Sequence, residues 1–309
     1  MTPLVALSRV THALLSMALL TFVIFGVTRI TGDPVDLLLP ENATKAQFAA
    51  LHQQLGLNKP LIDQYGIFVG NLIHGNLGQS YSFGIPVTEL IRQRFPATLQ
   101  LALTAIVIVL LVGVPLGIYS AYWRGGWLDR FARVIAVIGQ SSPAFWVGLL
   151  LIYLFAVRLH WVPSGGYGGF TNTVLPAVTL SLVPIAGLTR LIRSNMIEVL
   201  ETDYVRFLRL TGVRERSILW KHGLRNAGLS TLSYTGLLFA SLITSSTVVE
   251  TVFNWPGLGQ LISQGILGED FAIVQGVVLL YSALYIVVNL IVDLLIGVLN
   301  PRLRSVRGA

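Results

Sequence analysis

The sequence predicts an all-α integral membrane protein with six transmembrane helices. Long uncharged apolar runs recur along the chain. Only 11% of its 309 residues are charged, against about 25% in soluble domains. Mean hydropathy is +0.73, so the core is a helix bundle in lipid.

The six runs cover about 14–30, 99–123, 134–157, 173–192, 229–249 and 273–299. Each is long enough to cross ~30 Å of hydrocarbon at 1.5 Å per residue. The first follows a basic residue, Arg9, but no small-x-small cleavage site comes after it, so it reads as an uncleaved helix. The chain then divides into an N-terminal transmembrane helix (1–30), an extracytoplasmic segment (31–96) and a five-helix core (97–309) containing a polar loop (196–228). Within the extracytoplasmic segment, residues 46–55 and 61–73 have helical periodicity, and Gly75, Gly78 and Gly84 punctuate the remainder.

Orientation follows from Lys and Arg. With the N-terminus in the cytosol, cytosolic segments hold Arg9; Arg124, Arg130 and Arg133; eight basic residues between Arg190 and Arg225; and Arg302, Arg304 and Arg307. These are fifteen of the 21 basic residues, and the loop between the last two spans has none. Both termini are therefore expected in the cytosol. The net charge of +7 is split among membrane-flanking segments, which argues against nucleic-acid binding.

Several chemistries are excluded. There is no cysteine, and the three lysines follow Thr44, Asn58 and Trp220, so the Gly-Lys pair of a Walker A phosphate loop is absent. The five histidines form no HExxH or i, i+4 ligand pair, and there is no GxSxG elbow. No catalytic, metal or cofactor residues are expected. One acid, Asp293, falls within a span. It reads either as a structural carboxylate paired across helices or as the ion site of a secondary transporter working alone. Gly113, Pro115, Gly117, Pro143 and Pro184 mark kinks and close helix contacts.

The polar island at 198–225 reads EVLETDYVRFLRLTGVRERSILWKHGLR. It is too short for a domain and too charged for lipid. Thr202 is placed to cap a short helix, and Arg206 and Arg209 lie three apart on one face. Gly212 stops that helix, and a second helical piece is expected over 214–225.

The island carries DYVR at 203–206, Gly212 six residues after Arg206, and HGLRNA at 222–227. Elsewhere stand GDP at 32–34, LGLNKPL at 55–61, GNLGQSY at 75–81 and FPATLQLA at 95–102. WVP at 161–163, LPAVTL at 175–180, ETVFNWPGLG at 250–259 and NPR at 300–302 follow. This ordered set resembles, end to end, the permease subunits of bacterial ABC importers of the dipeptide, oligopeptide and nickel family. The resemblance implies the type I importer permease fold and a pathway shared with a second, homologous permease. It also implies two ATP-binding subunits holding Mg-ATP and an extracytoplasmic substrate-binding protein. It assigns docking on the ATPase to Glu201, Asp203, Tyr204, Arg206, Phe207, Leu208, Arg209 and Gly212. The run RFLRLTG at 206–212 is bulkier and less basic than the family's small residues and lysine. Short peptides are the expected substrate, with glutathione or nickel as alternatives within the family.

Overall fold

The computed structural model describes residues 3–31, 35, 44–54 and 56–299. The GDP and NPR motifs, Leu55, and the basic residues after position 299 lie outside them. Helix α1 spans Pro3–Thr31. Two short helices follow, α2 (Lys45–Gln54) and α3 (Leu61–Ile73), as the periodicity predicts. Helix α3 lies against α1: the Tyr65 ring meets Phe22 and Phe25, and its hydroxyl pairs with Thr21 at 3.0 Å.

The centre of the bundle is the pair α4 (Val87–Tyr122) and α7 (Phe170–Leu200). Helix α4 begins well before position 97, so it includes the last residues assigned to the extracytoplasmic segment. Its Gly113 and Gly117 stand four apart, the small-residue spacing that lets helices approach closely in lipid. A Cβ at Gly117 would lie 2.7 Å from the Ile192 Cβ on α7.

Between them the expected third span is broken. Helix α5 (Trp127–Ser141) and α6 (Ala144–Leu151), which continues as a wide helical turn over Ile152–Arg158, are bent by 108°. The cause is local. Pro143 has no N–H to extend α5, and it biases Ser142 away from helical geometry. Among the described residues, five helices are long and apolar enough to cross a membrane, or six if the bent pair is one span.

After α7 come α8 (Asp203–Leu210), α9 (Glu215–Ser217), a wide turn over Ile218–Gly223, and α10 (Leu224–Val252). The second piece expected at 214–225 is thus helical but runs into α10 without a break. Helices α11 (Leu258–Leu267) and α12 (Phe271–Leu299) complete the chain.

At the end of the bundle away from the island, two acids that fall between the fifth and sixth apolar runs, Glu250 and Asp270, are buried. Glu250 lies in the last turn of α10. One carboxylate oxygen accepts from the hydroxyls of Thr98 and Ser246, both at 2.8 Å. The other accepts from the backbone N–H of Gly259 (2.6 Å) and Gln260 (3.1 Å). The charge therefore sits on the N-terminus of α11, where dipole and free amides favour it. The Thr98 hydroxyl also accepts from Leu258 N–H at 2.8 Å. Gly259 cannot carry a side chain here, since a Cβ would stand 2.3 Å from the Thr247 Cα. Trp255, fully buried, donates its indole N–H to the Ala97 carbonyl at 2.9 Å. FPATLQLA and ETVFNWPGLG thus form one structural unit. Asp270 caps α12 through Ile273 N–H and also accepts from the Ser80 hydroxyl (2.7 Å) and Ser82 N–H (3.0 Å). It pins the chain that leads into α4.

Replacing Glu250 by Ala takes the acceptor from the buried Thr98 hydroxyl, the buried Gly259 amide and the part-buried Gln260 amide, while Ser246 can still donate to the Ile243 carbonyl. We expect a loss of about 3 kcal/mol or more, read as a lower thermal midpoint of the detergent-purified protein. Thr247→Ser, which keeps the neighbouring backbone, should leave the midpoint nearly unchanged.

Candidate functional site

The island folds into a compact arm joining α7 to α10. Thr202 occupies the residue before α8, but its hydroxyl donates back to the Val199 carbonyl at 2.7 Å and caps nothing ahead of it. Gly212 performs its expected role. It has φ +77°, its N–H donates to the Arg209 carbonyl, and Val213 N–H donates to the Leu208 carbonyl, both at 3.1 Å. This is the paired C-terminal closure that a left-handed glycine permits.

Helix α8 has a buried anchor and an open ridge. Val205 is fully buried. Tyr204, Phe207 and Leu210, spaced three apart, are 47%, 62% and 87% exposed, and Leu208 is half-buried. The ridge is braced from behind. Tyr204 hydrogen-bonds His222 Nδ1 at 2.8 Å, with the two rings edge to face. DYVR and HGLRNA therefore lock to one another. Trp220, in the second limb, donates to the Tyr119 hydroxyl on α4 at 3.3 Å.

The charges of the arm are largely spent within the chain. Arg206 pairs with Asp203 at 3.3 Å and Arg209 with Glu215 at 2.8 Å. Glu201 meets Arg124 of the α4–α5 turn at 2.8 Å. These exposed pairs stabilise the arm weakly but set where its charges stand. Arg214, Arg216, Lys221 and Arg225 are exposed around it. The arm presents an apolar ridge, rimmed by charge, on a helix fixed at both ends, which is the form that docks into an apolar groove.

The sequence reading missed two features of this end. Leu210 is the most exposed apolar residue of the ridge, and its spacing of three from Phe207 was the available signal. Asp129 at the start of α5 is 1% exposed and binds Arg193 of α7 through two bonds, 2.6 and 3.1 Å. No local pattern marks that pairing. Asp293 is half-buried and lines a cleft of ≈ 700 Å³ between α1, α10 and α12, with His12, Ser16, Tyr285 and Asn289. Glu250 also falls within a candidate span, Ser230–Val252, and Asp129, Glu250 and Asp270 are all more deeply buried than Asp293.

Residues 113–305 match the family described as binding-protein-dependent transport system inner membrane component, and residues 5–102 match its N-terminal companion. A Brucella abortus protein provisionally named a peptide transport system permease is 39% identical, the match covering 98% of this chain and 99% of that protein. The glutathione transport system permease protein GsiC of Pectobacterium atrosepticum is 40% identical, over 93% of this chain and 94% of that one. Among solved structures, a chain of the MetNI methionine ABC transporter in an inward-facing conformation superposes with TM-score 0.60 at 19% identity. The superposition covers 68% of this chain and 96% of that one, and it shows a shared fold.

Gly212→Ala forces a left-handed conformation on a residue with a Cβ, a cost of about 1–2 kcal/mol. We expect faster amide hydrogen exchange at positions 212 and 213, with exchange in α4 and α12 unaltered.

Proposed function

We propose, for a chain that belongs to the family of inner membrane components of binding-protein-dependent transport systems, that it is the subunit through which ATP hydrolysis moves short peptides inward. It is a multi-pass inner-membrane permease subunit of an ABC importer. In this reading it pairs with a second, homologous permease to enclose the pathway. Two ATP-binding subunits carrying Mg-ATP dock below, and an extracytoplasmic binding protein delivers substrate above. Peptides are favoured because the relatives named above are assigned to peptide and glutathione systems, and glutathione is itself a small peptide.

The observation that carries the mechanism is the open ridge Tyr204–Phe207–Leu210 on a helix clamped by Val205 and His222. A soluble groove that takes up this ridge gains apolar burial, and the basic rim favours an acidic border around the groove. Helix α8 follows α7 after two residues and is tied through His222 to the wide turn that runs into α10. Displacement of the docked helix therefore moves two long spans together. The basic excess around this arm supports a cytosolic placement for it and for both termini. Because Arg206 and Arg209 already hold Asp203 and Glu215, contact with acids of an ATPase would exchange partners rather than neutralise free charge. Apolar contact is the larger contribution in this reading.

Phe207→Asp combined with Leu210→Asp should abolish co-purification of the ATP-binding subunits while leaving the thermal midpoint of the isolated chain within a degree or two, because both side chains are exposed. Gly212→Pro, incompatible with φ +77°, and Arg206→Glu should each depress ATP-driven tripeptide uptake in proteoliposomes with insertion intact. Retained ATPase binding in the double variant would exclude the ridge as the docking surface.

A further inference from the structure

The contacts behind the docking arm form a second device, distinct from the ridge itself. Asp129 accepts four hydrogen bonds: from Arg193 Nε and Nη2, from the Ser120 hydroxyl at the end of α4 (2.8 Å), and from Gly125 N–H in the α4–α5 turn (3.0 Å). Arg133 adds a longer contact at 3.5 Å from an exposed position. Arg193 lies two turns before the end of α7, and α8 begins after residues 201 and 202. Farther along the same seam, Arg190 reaches Gln140 of α5 at 3.3 Å. At Gly139 an added Cβ would meet the Leu182 carbonyl at 3.3 Å. Helices α5 and α7 are therefore fastened along their length, and α5 ends at the 108° break before Pro143.

We propose that the Asp129–Arg193 clamp makes α5, the end of α4, the last third of α7 and the docking helix α8 one rigid lever that swings about the break at residues 142–143. This rests on the reading of α8 as the element moved by an ATPase. The physical ground is that the clamp joins three chain segments through one buried carboxylate. Rotation of α7 against α5 would take both Arg193 bonds from that buried carboxylate, leaving only Ser120 and Gly125 to hold its charge, a loss costlier than bending at a proline junction. Arg193 and Asp129 are positioning residues in this scheme. They touch neither substrate nor nucleotide, and act by carrying the motion of α8 into α5.

The test uses the full complex with its ATP-binding subunits in nanodiscs. The chain has no native cysteine, so spin-label pairs at exposed sites can be introduced directly, with the other subunits made cysteine-free. The pair Val134→Cys and Glu198→Cys spans the clamp, and the pair Val134→Cys and Leu150→Cys spans the break. The expected result is an unchanged distance across the clamp between nucleotide-free and ATP–vanadate-trapped states, with a changed distance across the break. A changed distance across the clamp, or a fixed one across the break, overturns the proposal without any variant of the clamp being needed. In Asp129→Asn and Arg193→Lys, tripeptide uptake should fall about ten-fold while ATP hydrolysis stays within about two-fold. Unchanged uptake, or uptake and hydrolysis lost in parallel, refutes the clamp as a transmitter. If the unaltered chain binds no ATPase, the underlying reading falls and this one with it; if it binds and the clamp distance shifts, only the lever falls.

Discussion

Four donors converge on the carboxylate of Glu250, and the upper half of the bundle is organised around them. A polar group inside a membrane protein has no bulk water to fall back on, so it is satisfied by the chain or pays a desolvation penalty of several kcal/mol. Glu250 solves this by standing on the N-terminus of α11 and drawing in Thr98 and Ser246. That choice fixes much else. Helix α4 is brought against α10, the glycines before and within α11 have no room for side chains, and Trp255 is carried into the core, where its N–H finds the Ala97 carbonyl.

The same constraint is met twice more, by Asp270 beneath the turn at Ser80 and by Asp129 at the opposite end. Each carboxylate joins segments remote in sequence, and each couples a helix end to a neighbouring loop. Buried charges of this kind contribute little net stability compared with apolar packing, but removing one partner is costly. They therefore act as fixed points. Between them the helices meet through small residues, as at Gly117 against Ile192, where dispersion contacts replace the hydrophobic drive that lipid does not supply.

The two ends of the molecule use these fixed points differently. At the Glu250 end the polar groups are enclosed. At the other end the Asp129 knot lies behind an arm whose outer ridge is left open, with Tyr204 braced by His222 and Val205 sunk into the bundle. Rigidity behind and exposure in front are what a surface needs if a partner's movement is to reach the spans rather than deform the arm.

The sequence by itself determined the helical class, the positions of the long apolar spans, the short helices near 46–55 and 61–73, the polar arm and its stop at Gly212. All of these follow from composition and from periodicities that repeat within a few residues. It also marked Pro143 as a kink, though not a bend of 108°. The tertiary structure alone decided which acids are buried and what holds them. Glu250 and Asp270 looked like loop charges because they fall between the fifth and sixth apolar runs, 229–249 and 273–299. Their partners lie far along the chain, Thr98 at a separation of 152 residues and Ser80 at 190. Asp129 and Arg193, 64 apart, were equally invisible as a pair. The same holds for the exposure of Leu210. Local pattern places an apolar residue on a helix face, but only the packing of α7 and α10 decides which face is covered, because burial depends on contacts between segments that no local window contains.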